Sequence, residues 1–193
     1  MSVPGPGAAH SSPKGCLLWG SIGVVFLVLV VGSFAFWVLG NSTQDPEEAR
    51  AWAAEMIELD FPAEAPPATG LRLNDVTFVF GGEDIQDREQ LNFTVVGSTG
   101  ETRFEYDQLA RFDETQDEGE LEVVSREDTE FQLRGAPVKT LHVVYADGTT
   151  DYSVLLDGKT TAEGQTWQVM LIFQGPPEGN SREWVQRVLD SVR

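Results

Sequence analysis

Hydrophobic and polar positions follow two regimes along the chain. From Cys16 to Leu39 the 24 residues CLLWGSIGVVFLVLVVGSFAFWVL carry no charge, and a helix of that length would cover about 36 Å, enough for a hydrocarbon core of ~30 Å. Trp19 and Trp37 stand 18 positions apart, about 27 Å along a helix, which would set one indole at each membrane interface. A cleaved secretion signal would use Ser33 and Ala35 as its small residues. Its apolar region, however, spans only about 7 to 15 residues, and this run continues through Phe36 to Leu39. The pattern therefore predicts an uncleaved signal-anchor, a single-pass transmembrane helix over 16–40. It is preceded by a tail, 1–15, too rich in Pro, Gly, Ser and Ala to fold alone. Lys14 before the span and Asp45, Glu47 and Glu48 after it place the N-terminus in the cytoplasm and the rest outside the cell membrane.

Beyond the span the periods become those of a folded domain, 41–193, of ordinary single-domain size. DPEEARAWAAEMIEL begins with Asp45 as N-cap, Pro46 at the first helical position and Glu47 and Glu48 in the first turn. Ala49, Trp52, Ala53, Met56 and Ile57 then line one helical face, and the Pro-rich DFPAEAPPATG forces an irregular exit. Strands are predicted over 71–80, 91–96, 120–125 and 130–135, with alternation clearest in TFVF and EFQL. In VKTLHVVYADGTTDYSVLLDGKTTAEGQTWQVMLIFQ, the Asp147-Gly148 pair between β-rich runs signals a hairpin, and Asp157-Gly158 opens the next connection of an antiparallel meander. The chain closes on a second amphipathic helix, with Asn180 and Glu183 spaced as a capping box and Trp184, Val185, Val188, Leu189 and Val192 on one face. The expected fold class is α+β: an N-terminal transmembrane helix, then an antiparallel β-sheet with amphipathic helices at both ends of the domain.

Charge narrows the partners. Thirteen Lys and Arg less Lys14 leaves 12 beyond Gly40 against all 31 Asp and Glu, so residues 41–193 carry a net charge of −19. Such a domain repels nucleic acid and anionic headgroups. Cys16 is the single cysteine, which excludes an internal disulfide and Cys/His catalysis. Of two histidines, His10 falls in the tail and His142 in a strand with no evident partner to make it a general base. GSTG, 97–100, lacks the serine position of a nucleophile elbow and reads as a turn. DGKT, 157–160, lacks the first glycine of a phosphate-binding loop. Asp113, Thr115 and Asp117 have the alternate spacing of a calcium loop, but Glu118 stands where the sharp turn needs glycine. No metal ligand set, catalytic residue or cofactor is assigned, and only paired carboxylates of the glycosidase kind stay open as enzymatic chemistry. Asn41-Ser42-Thr43 and Asn92-Phe93-Thr94 fit the glycosylation sequon.

The order of the anchor, DPEEARAWAAEMIELDFPAEAPP, EFQLRGAPVKTLHVVYADG and REWVQRVLDSV resembles a group of uncharacterised bacterial single-pass membrane proteins with a small extracytoplasmic α+β domain. The layout is also similar, more distantly, to the Mog1/PsbP-like fold, whose members mostly bind or stabilise other proteins. Fold alone does not fix function. The combined expectation is a membrane-tethered extracytoplasmic protein-interaction module without catalysis, presenting an acidic surface to a basic protein partner. The alternative is a sensor of a small ligand or divalent ion through the acidic stretch Asp113 to Glu122 or a pocket between helix and sheet.

Overall fold

The computed structural model describes residues 40–83, 87–100, 103–106 and 122–193. Asn41–Arg193 forms one compact unit. Its elements are β1 (Ser42–Thr43), α1 (Pro46–Met56), β2 (Pro67–Leu73), β3 (Val76–Gly81), β4 (Asn92–Ser98), β5 (Val123–Leu133), β6 (Ala136–Tyr145), β7 (Thr150–Thr160), β8 (Thr166–Gly175) and α2 (Arg182–Asp190). The strands form one antiparallel sheet in the order β1-β2-β3-β4-β8-β7-β6-β5. The expected α+β class, an antiparallel sheet with a helix near each end of the domain, is the observed architecture.

Both helices contribute to one core on one face of the sheet. Val79, Val95, Leu171 and Val154 stand opposite one another across β3, β4, β8 and β7 and are fully buried. The next row carries Phe93, Phe173 and Tyr152, and Trp184 of α2 meets Phe173 edge-on with centroids 5.5 Å apart. Side chains of this kind each contribute about 1.5–3 kcal/mol when buried. Asp45 starts α1 as read from the sequence, its carboxylate accepting the Glu47 N–H at 2.9 Å. The helix lies close to the strands because the sheet offers it glycine. A Cβ on Gly97 would strike the Met56 sulfur, one on Gly158 would strike the Met56 carbonyl, and one on Gly70 would come within 2.7 Å of the Trp52 ring. On the opposite face Leu141, Val143 and Tyr145 make a smaller cluster with Tyr106 and Val123.

Several elements differ from the sequence expectation. The strand expected over 71–80 is a hairpin, β2 to β3, that turns at Asn74-Asp75 with Asn74 at φ 54°. Asn tolerates the left-handed region without glycine. Of the runs 120–125 and 130–135, residues 123–125 and 130–133 belong to the single strand β5, and the polar residues between them are part of it. Gly97 and Ser98 extend β4 and are not a turn. Asp157 and Gly158 lie inside β7 at a register irregularity, and the chain reverses beyond Thr160, with Gly164 at φ 84°. Ser181, not Asn180, caps α2 through the Trp184 N–H. Asn180 is instead buried, its amide donating to Thr150 O, Thr150 Oγ1 and Phe173 O.

The membrane reading is also corrected. No helix among the described residues is long and apolar enough to cross a membrane. The longer of the two just defined, α1, has 11 residues, about 16 Å against a core of ~30 Å, and it carries Glu47, Glu48, Arg50 and Glu55. Of the expected span 16–40 only Gly40 is described, and Trp19 and Trp37 lie outside the described residues. The single-pass, signal-anchor and extracytoplasmic character drawn from that span therefore has no support in the structure.

Candidate interaction surface

Strand β5 forms one border of the sheet. Arg134 at φ 52° and Gly135 at φ 79° make the two-residue turn that pairs Leu133 with Ala136 and sets its register on β6. Phe131 is the one fully buried side chain of β5, meeting Tyr152 edge-on at 5.6 Å. Helix α2 lies against the same end of the strand. Gln186 Oε1 accepts the Gln132 N–H at 3.0 Å while its Nε2 donates to the Gln132 carbonyl at 2.8 Å. Arg182 donates to Thr129 Oγ1 at 2.6 Å and to the Glu130 carbonyl, and its guanidinium lies 4.5 Å over the Phe131 ring. Two side chains of α2 thus occupy positions that a further strand would take.

Toward its N-terminal half β5 carries Glu127 and Asp128 beside Arg126. On the helix-bearing face Glu127 stands opposite His142, its Oε1 3.0 Å from Nδ1, and the imidazole stacks on Tyr152 at 4.2 Å. The His142 partner that sequence reasoning could not identify is thus Glu127, brought there by cross-strand register. His142 Nε2 is buried and without a hydrogen-bond partner among the described residues. On the other face Asp128 accepts the Tyr106 hydroxyl at 2.8 Å and pairs with Lys139 at 2.7 Å, and the Lys139 ammonium lies 4.1 Å over the Tyr106 ring. Hydrogen bonds from Lys139 and Tyr106 hold the Asp128 carboxyl below the usual aspartate range. Burial, then the Asp128 hydrogen bond and charge, raise the Tyr106 phenol.

A second polar group ties the β3–β4 connection to the β6–β7 turn. Arg88 reaches Thr149 Oγ1 at 3.2 Å and Asp151 at 3.3 Å, with its guanidinium 4.2 Å over Tyr145, whose hydroxyl donates to Asp151 at 2.9 Å. Burial disfavours the charged Asp147 carboxyl, but hydrogen bonds from Thr149 outweigh it and lower its pKa. Each named group here is satisfied by another, which is how a structural clamp is built.

Asp113, Thr115 and Asp117 lie outside the described residues, and of the acidic stretch only Glu122 is described. Among the described residues no group of three His, Cys, Asp or Glu could hold a metal ion. Asn92 of the second sequon is 2% exposed within β4 and donates to the Asp87 carbonyl, so the folded domain offers no access for a glycan there. Comparison with protein-family models, with curated proteins and with solved structures yields no match.

Proposed function

We propose that Asn41–Arg193 is a protein-interaction module that recruits a basic partner, with binding rather than catalysis as its role. The observation that carries this reading is the charge: a net −19 over 41–193 gives a field that speeds encounter with cationic surfaces and repels nucleic acid. The carboxylates of β5 add a place where that field meets a regular backbone surface.

The test is retention on the immobilised full-length chain at low ionic strength, followed by elution with rising salt. A basic protein should be retained and then released as ionic strength passes about 0.15 M, where the screening length falls to about 8 Å. It should rebind when purified. Retention of nothing at low salt, or of a partner indifferent to salt, would count against the reading.

A further inference from the structure

Border strands are usually short, bulged or covered, because their unpaired N–H and C=O groups invite another strand. β5 has 11 residues, against a usual length of about 5–6, and α2 covers only part of it. A residue in an antiparallel strand sends its N–H and C=O the same way. Gln132 gives both of its groups to Gln186, and therefore Glu130 and Asp128, two and four residues earlier, also direct theirs away from β6. The Glu130 carbonyl is taken by Arg182. The Glu130 N–H and both backbone groups of Asp128 have no partner among the described residues. Val124, at 65% exposure, extends the same strand as its exposed apolar residue.

We propose that this stretch of β5 binds an extended, basic segment of a partner protein by strand addition, centred on the outward backbone groups of Asp128 and Glu130. The inference rests on the interaction reading above and names its site. Main-chain hydrogen bonds supply the affinity in such pairing, and alternate side chains supply the selectivity. Glu127 on one face and Asp128 and Glu130 on the other would meet lysine or arginine on both faces of the added strand. A second copy of this chain is the poorer occupant. It would oppose two domains of net charge −19, and such domains repel each other.

The experiment uses the full-length chain and a peptide of roughly ten residues built from alternating Lys-Lys and Thr-Thr pairs, which puts lysine on both faces of one strand, beside the same peptide N-methylated at alternate residues. Methylation keeps the charge and removes the donors of one edge. The plain peptide should bind at low ionic strength and slow amide exchange at Asp128 and Glu130 by about tenfold or more. The methylated peptide should bind about tenfold more weakly. Asp128→Pro, which removes one outward N–H at an edge position that tolerates proline, should also cost about tenfold, whereas Asp128→Ala should cost about threefold or less. Should Asp128→Pro fail to fold, the methylated peptide decides alone. Equal binding of the two peptides would overturn strand addition and leave the acidic-module reading standing. Binding of neither would remove both. A dimer of the chain that forms at micromolar concentration and is lost in Asp128→Pro would replace the basic partner with a second copy and so overturn the proposal.

Discussion

At one border of the sheet stands β1, two residues long, with Thr43 buried and its hydroxyl donated to Glu48 at 2.6 Å. At the other stands β5, 11 residues long, with only Phe131 fully buried. The first border is closed by brevity and by α1, whose first turn supplies the acceptor for Thr43. Among the described residues, Arg182 and Gln186 close the second at one end. The same sheet therefore has one end with little left to pair and one end with a run of backbone still able to do so.

Four substitutions break or sharpen that contrast. Phe131→Ala should have the largest effect, about 3–5 kcal/mol of stability in a denaturant titration, because it empties the contact that holds the long border against Tyr152 and Arg182. Gln186→Ala should cost about 1–2 kcal/mol for two hydrogen bonds, and amide exchange at Gln132 should quicken while that at Leu171 in the centre of the sheet does not. A change confined to the centre would contradict the capping role. At the short border Thr43→Ala should cost about 1 kcal/mol without creating any new tendency to associate, since β1 has too little backbone to template a partner.

The smallest effect belongs to Asp128→Asn. The folded pKa of Asp128 is lowered by Lys139 and Tyr106, so its carboxylate contributes stability above the ordinary aspartate value, about 3.9, and loses it as pH falls through the lower folded value. Melting curves of wild type and Asp128→Asn should differ slightly at pH 7 and converge in strong acid. A gap that widens with acid would reverse the assignment.

Sequence periodicity reads the short border and the core better than the long border. Asp45 and Pro46 announce α1, and β3 has the period-2 burial of a strand, with Thr77 and Val79 turned inward and Phe78 and Phe80 half-buried on the other face. SREDTE carries no such alternation, because a border strand with both faces partly wet has no requirement for apolar residues until Phe131. Its strand character comes from pairing with β6, a long-range fact that local propensity does not contain. The Glu127–His142 pair is hidden for the same reason: 15 residues separate the two, and only the Arg134-Gly135 turn sets them opposite. Asn180 looks like a cap from its spacing with Glu183, yet its amide is drawn inward by the carbonyls of Thr150 and Phe173, and Ser181 takes the cap.

The close seating of α1 on glycine has a chemical consequence. Met56 is fully buried, with Gly97 and Gly158 leaving no room for even one added carbon beside it. A sulfoxide oxygen would need such room and a hydrogen-bond partner, so peroxide can reach and convert this thioether only while the helix is lifted from the strands. The rate of Met56 oxidation, followed by mass spectrometry, thus times the detachment of α1, and enlarging Gly97 to alanine should hasten it by leaving the helix less firmly seated.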